Sequence, residues 1–118
     1  MPSPMTSHLL TELGRIAALP LEESYALPPQ IFTDEGFAAL EDERIFRQAW
    51  QCVGRADELA QPGDYLTDDV AGDPIIVIRD AKGEIRAFPN ICRHRAARLL
   101  DGCGNAKRIV CPYHAWTY

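Results

Sequence analysis

Asn90-Ile91-Cys92-Arg93-His94-Arg95, followed at the end of the chain by Cys111-Pro112-Tyr113-His114-Ala115-Trp116-Thr117-Tyr118, sets a C-x-H pair against a C-x-x-H pair. Sixteen residues separate His94 from Cys111. In an extended segment residues i and i+2 point to the same side, so Cys92 and His94 can address one object. Pro112 favours a turn that swings His114 back toward Cys111. Each loop then offers one thiolate and one imidazole. A structural zinc ion can use these four donors, although zinc loops usually space their paired ligands two to four residues apart. A C-x-H pair is tight for one tetrahedral ion.

A binuclear cluster relaxes that constraint, because its two irons take different ligands: thiolates on one, imidazoles on the other. That is the arrangement of a Rieske [2Fe–2S] centre. The two segments resemble the cluster loops of Rieske proteins, and more narrowly those of the α-subunits of Rieske non-haem iron oxygenases. These include aromatic-ring hydroxylating dioxygenases and the choline and carnitine monooxygenase-like enzymes. The resemblance extends from about Thr33 through Phe46, Trp50, Pro62-Gly63-Asp64-Tyr65, Arg79-Asp80, Gly83 and Ala87-Phe88 to Tyr118. It implies that Cys92, His94, Cys111 and His114 bind the cluster. Family members often carry glycine where this chain has Ala96 and Ala115, serving either close backbone approach or a positive φ; alanine tolerates the first more readily.

High-potential Rieske proteins resemble the same pattern but add two cysteines that cross-link the loops. Ala97 and Tyr113 stand at those positions here, so a potential toward the negative end of the Rieske range, about −150 mV, is expected. The other two cysteines read as bystanders. Cys103 falls in the turn-rich Asp101-Gly102-Cys103-Gly104-Asn105 as a free thiol, and Cys52 after Trp50 reads as a buried small apolar residue. Arg93, Arg95 and Arg98 surround the first loop, either solvated, internally paired or tuning the site electrostatically.

Elsewhere, Leu9, Leu10, Leu13, Ile16 and Ala17 recur at helical spacing over about 7–19, with Pro20 as the limit and His8 solvent-exposed. Thr33 reads as the cap of a second helix reaching about Trp50, laying Phe46 and Trp50 on a sheet. Short β-rich runs follow at Tyr65–Thr67, Pro74–Arg79, Ile85–Phe88 and Arg108–Cys111, with a hairpin turn at Asp80–Gly83. The expected architecture is mainly β: a small antiparallel Rieske iron–sulfur fold over 50–118, incomplete at its C-terminal end, behind a helical extension over 1–49.

The wider composition agrees. The 118 residues are 47% apolar and 25% charged, with 17 acids against 12 Lys+Arg for a net charge of −5. The acidic balance argues against nucleic-acid binding. No apolar run approaches the ~18 residues of a membrane span. Met1-Pro2-Ser3-Pro4 lacks the features of a signal peptide, so a cytoplasmic location, reduced cysteines and metal binding are favoured over two disulfides.

The resemblance further implies a reductase or ferredoxin as electron donor, NAD(P)H as electron source, a trimeric parent enzyme, and a C-terminal catalytic domain with a mononuclear iron on two histidines and a carboxylate. Four residues follow His114, and His8 is the only remaining histidine. The chain therefore reads as the Rieske part of an α-subunit without that catalytic domain. A stand-alone Rieske ferredoxin is the alternative, against which stand the helical preamble and the late position of the ligand pairs.

Overall fold

Ser3 begins the first helix, α1 (Pro4–Ala17), four residues ahead of the start read from the apolar spacing. Its hydroxyl accepts the Thr6 backbone N–H at 3.0 Å, and Pro4 supplies a helical φ at the first position. The computed structural model describes residues 3–118, so Met1 and Pro2 of the opening stretch lie outside it. The chain divides into two compact units, the first ending at Ala49 and the second spanning Trp50–Tyr118.

In the first unit, Leu9 of α1 packs with Ile31 and Phe37, flanked by Leu13 and Leu27. The second helix, α2 (Glu35–Glu41), is capped by Asp34 and not by the expected Thr33. A carboxylate is the stronger acceptor at a helix start. Asp34 Oδ1 takes the Phe37 N–H at 2.7 Å and the Thr6 hydroxyl at 2.8 Å, joining the starts of both helices. The expected run to Trp50 does not form. After Glu41 the chain widens into a π-helical turn, Asp42–Phe46, and leaves helical geometry after Arg47. The i,i+4 register of Phe46 and Trp50 is lost with it: Phe46 is 42% exposed and Trp50 wholly so.

The second unit is a four-stranded antiparallel sheet in the order β3-β2-β1-β4. Its strands are β1 (Asp64–Val70), β2 (Asp73–Arg79), β3 (Ile85–Pro89) and β4 (Cys103–Asn105). The two-residue turn Ala71-Gly72 joins β1 to β2 with both φ angles positive, the twist-compatible hairpin geometry. The expected turn at Asp80–Gly83 joins β2 to β3, with Asp80 N–H bonded to Glu84 O at 2.8 Å and Gly83 N–H to Asp80 O at 3.0 Å. The fourth strand is not the expected Arg108–Cys111 but Cys103–Asn105. Gly104 allows this pairing, since a Cβ there would stand 3.1–3.2 Å from the Tyr65 ring of β1. Arg108–Cys111 instead pairs with the chain's last residues, through the Val110–Thr117 bridge and two Ile109–Tyr118 hydrogen bonds.

One sheet face, with Ile76, Ile78 and Tyr65, packs against Cys92, Leu99, Leu100, Ile109 and Cys111. The sheet is thus a platform for the two ligand loops. Among the described residues no helix is long and apolar enough to cross a membrane.

The β2–β3 turn carries a pH signature. The Arg86 guanidinium, then the backbone N–H groups of Glu84 and Lys82, hold the Asp80 carboxyl down to about 2. A carboxylate whose pKa is lower folded than unfolded stabilises the fold above its unfolded value, about 3.9, and loses that effect as pH falls toward the folded value. Asp80→Asn should lower the urea midpoint at about pH 5 and above, and the gap from wild type should close toward about pH 2. A gap that stays constant through that range removes the Asp80 carboxylate from the stability of the turn.

Candidate metal centre

Asn90, directly after β3, is wholly buried and has every side-chain polar group satisfied. Its Oδ1 accepts the N–H groups of Leu99 and Leu100, each at 3.0 Å, and its Nδ2 donates to Leu100 O at 2.7 Å. Its own N–H bonds Pro74 O at 2.7 Å. The amide therefore closes the first ligand loop from below and fastens it to the sheet.

Above that clamp the two loops share one backbone design, nineteen positions apart. In the first, Cys92 N–H bonds Ala97 O at 2.8 Å and Ala96 N–H bonds Cys92 O at 2.9 Å. In the second, Cys111 N–H bonds Trp116 O at 2.7 Å and Ala115 N–H bonds Cys111 O at 3.0 Å. Isolated bridges, Ile91 with Arg98 and Val110 with Thr117, close the two stems. Ala96 and Ala115, four residues after each cysteine, have φ of 55° and 58°. Positive φ is thus what these positions require, at a cost of about 1–2 kcal/mol for each alanine.

The four candidate ligands are brought together as two like pairs. Cys92 and Cys111 are buried, 2% and 3% exposed, and pack in the same core cluster with Ile76 and Leu99. His94 and His114 are exposed at the loop tips, with ring centroids 4.8 Å apart and planes at 69°. Trp116 stacks parallel on His94 at 4.9 Å, and Tyr113 lies 3.8 Å from His114. The Tyr118 hydroxyl accepts the Arg93 N–H at 3.0 Å and lies within hydrogen-bond reach of Cys92 Sγ at 3.2 Å, a contact in which either group can donate. That bond, before the backbone N–H of His94, the Cys111 side chain and the N–H of Arg95, holds the Cys92 thiol below its usual range against the opposing effect of desolvation. The same contact raises the Tyr118 hydroxyl.

This donor set fits a binuclear iron–sulfur cluster. Thiols and imidazoles are sorted into separate pairs, and the Tyr118 hydroxyl lies beside one of the sulfurs.

The remaining candidates separate from this centre. Cys103 is a free, exposed thiol, but on β4 instead of in a loop, and His8 is exposed on α1. Cys52 is also exposed and not buried as expected, because Gln51–Arg55 runs without regular structure ahead of the sheet. Arg98 pairs with Asp69 at 2.9 Å, whereas Arg93 and Arg95 are exposed. From sequence alone, Asn90 and Tyr118 had no assigned role at the ligand loops. A polar residue immediately before the C-x-H pair was the available signal for the first; the second has none, since it depends on how the chain end folds back.

Residues 49–118 match the Rieske [2Fe-2S] domain family. The carnitine monooxygenase oxygenase subunit of Acinetobacter baumannii is 44% identical over 96 residues, which is 80% of this chain and 26% of that protein. Among solved structures, the quaternary ammonium Rieske monooxygenase CntA superposes with a TM-score of 0.76 at 45% identity, over 80% of this chain and 28% of its own. Naphthalene 1,2-dioxygenase from Rhodococcus sp. superposes over all of this chain and 26% of its own, with a TM-score of 0.83 at 34% identity. The chain spans about a quarter of the length of these relatives.

Asn90→Ala strips the acceptor from two N–H groups beneath the loop, at about 1–3 kcal/mol for each that stays buried. The expected result is a lower urea midpoint and faster amide exchange at Leu99 and Leu100, with exchange in β2 unchanged apart from the overall loss. Slow exchange retained at both amides would show that the clamp is dispensable. Tyr118→Phe, in a metal-free Cys52→Ser/Cys103→Ser background, should raise the pH midpoint for alkylation of Cys92. An unmoved midpoint would remove the hydroxyl from control of that thiol.

Proposed function

The chain belongs to the Rieske [2Fe-2S] domain family, and from that premise we propose that Cys92, Cys111, His94 and His114 hold a [2Fe–2S] cluster serving as the electron entry of an oxygenase α-subunit. The sorted donor pairs carry this reading: thiols packed inside against the sheet, imidazoles outside at the loop tips. When bound, the cluster supplies one-electron storage. Cys92 and Cys111 bind it as thiolates, and the lowered Cys92 pKa eases the loss of that proton. The Tyr118 hydroxyl keeps its own proton and directs it at the Cys92 sulfur. His94 and His114, held by Trp116 and Tyr113, place conjugated rings at the surface, where an electron can enter or leave through a short path.

On this reading 50–118 is the Rieske unit and 1–49 an N-terminal helical extension. The full-length protein carries a further catalytic domain with a mononuclear iron, assembles as a homotrimer, and draws electrons from NAD(P)H through a reductase or ferredoxin. The fraction of its relatives that the chain spans supports a longer parent. Carnitine monooxygenase, at 44% identity, favours a quaternary amine as substrate. An aromatic ring is the second reading, favoured by the dioxygenase that superposes along the whole chain.

Anaerobically purified protein should be brown, contain about two iron and two acid-labile sulfides per chain, and give the paramagnetic resonance signal of a reduced Rieske centre. Its midpoint should lie near about −150 mV, as expected for loops without a cross-linking disulfide. One zinc per chain without sulfide would overturn the assignment, and a strongly positive midpoint would overturn the low-potential class.

A further inference from the structure

The two ligand loops are closed separately. Each is held by hydrogen bonds to its own cysteine and by a bridge across its own stem. Among the described residues no backbone hydrogen bond and no disulfide runs from one loop to the other. Their relative position therefore rests on side chains. In the second loop Thr117 pairs with Val110, so the chain is extended there, and Trp116 and Tyr118 project to the side opposite Thr117. Both reach the first loop. The Tyr118 hydroxyl accepts the Arg93 N–H and lies 3.2 Å from Cys92 Sγ, while the Trp116 indole lies parallel on the His94 ring.

That stack is the more consequential contact. The two rings are 4.9 Å apart with 1° between their planes, an offset-stacked pair. The Trp116 carbonyl accepts the Cys111 N–H at 2.7 Å, so its backbone belongs to the second loop while its ring covers the first. Tyr113, by contrast, leans on its own chain neighbour His114. The last torsion of a histidine side chain has broad wells, so the plane of the ring is set by what packs on it. Among the described residues no side-chain hydrogen bond orients His94, which leaves its ring neighbours, and chiefly the flat indole face, to fix that plane. Turning the imidazole about this torsion pushes its edge into the indole. A ligating histidine depends on such a partner to keep its donor nitrogen aimed.

We propose that Trp116 is a positioning residue for the cluster site: stacked on His94 across the gap between the loops, it sets the plane of that imidazole and keeps the loops at one separation. The inference rests on the cluster reading above and adds what orients one of its four donors. A donor already aimed loses less freedom when it binds, so the stack favours the bound state. One aromatic pair of this kind shifts an equilibrium about two- to tenfold. Trp116 is 47% exposed, so replacing it spares the core.

Nuclear magnetic resonance of the metal-free 118-residue chain reads the stack directly. The ring current of the indole should hold the His94 ring protons upfield of those of His114. Trp116→Leu should return them to ordinary imidazole positions, and Trp116→Phe should keep part of the shift. The cluster-loaded chain reads the consequence. In pulsed electron–nuclear double resonance of the reduced state, Trp116→Leu should change one of the two histidine nitrogen couplings, and Trp116→Phe should restore it. Tyr113→Leu, which removes an aromatic ring from the same surface, should leave that coupling unmoved. Iron release to a ferrous chelator should quicken about two- to tenfold in Trp116→Leu and recover in Trp116→Phe. Unshifted His94 protons in the wild-type chain, or couplings unchanged in Trp116→Leu, would falsify the positioning role. Faster iron release with unchanged couplings overturns it too, because Trp116 then only shields the site from solvent. If Trp116→Leu takes up no cluster, shifted His94 protons together with a loaded Trp116→Phe chain uphold the role, and any other result overturns it. Absence of the reduced-Rieske resonance from the wild-type chain overturns the cluster reading and the positioning role with it. The two failures are told apart because the metal-free ring shifts do not depend on loading.

Discussion

Everything at the ligand end of the molecule hangs on one buried amide. Asn90 sits where the last residue of β3 must turn into the first ligand loop, and there the backbone can no longer satisfy itself by sheet pairing. Two N–H groups and one carbonyl of Leu99 and Leu100 face inward with no strand beside them. The Asn90 side chain carries the matching two-acceptor, donor pattern, and burial raises the cost of leaving any of these groups unmatched. An apolar residue of the same size would fill the space and leave the loop unpaired. An aspartate would accept both N–H groups but face the Leu100 carbonyl with a second charged acceptor. The position of Leu99 in the core, and through it the packing of Cys92 and Cys111 against Ile76, follows from this choice.

That dependence shows which parts of the molecule could be read from the chain and which could not. The C-x-H and C-x-x-H pairs were legible because side-chain chemistry and short-range spacing define them, and the structure brings all four residues to one end of the sheet. The β2–β3 turn was equally local: Asp80 and Gly83 carry their own turn chemistry. What escaped depended on contacts distant in sequence. Thr33 and Asp34 are both competent caps, and the choice between them is made by Thr6, twenty-eight residues before Asp34. Cys103–Asn105 has no strand-like composition, and pairs with β1 because Gly104 lets the Tyr65 ring lie over it. Phe46 and Trp50 kept a helical spacing that the backbone abandons within the π-helical turn. Spacing alone records which residues share a face if the helix continues, and says nothing of whether it does.

The two units also divide their polar chemistry differently. In the first, polar side chains spend themselves on helix starts, with Ser3, Thr6 and Asp34 in one hydrogen-bonded chain. In the second, carboxylates and most arginines brace the sheet, and the loops are left with uncancelled positive charge. Added negative charge at the loops, such as a bound electron brings, is more easily held beside cations than beside carboxylates.

The alanines at positive φ show how firmly the loops are held. A glycine at either position would avoid the conformational penalty, yet the chain keeps Ala96 and Ala115 in the left-handed region at almost the same angle. Such strain persists only where the surroundings over-determine the backbone. Here they do: each loop is closed by two hydrogen bonds to its own cysteine and by a bridge across its stem. The turn that carries the positive φ also sets the backbone of His94 and Arg95, whose N–H groups help to lower the Cys92 thiol. The strain is therefore tied to the site, and it marks the loop backbone, as much as the four candidate ligand side chains, as what fixes the arrangement at this end of the sheet.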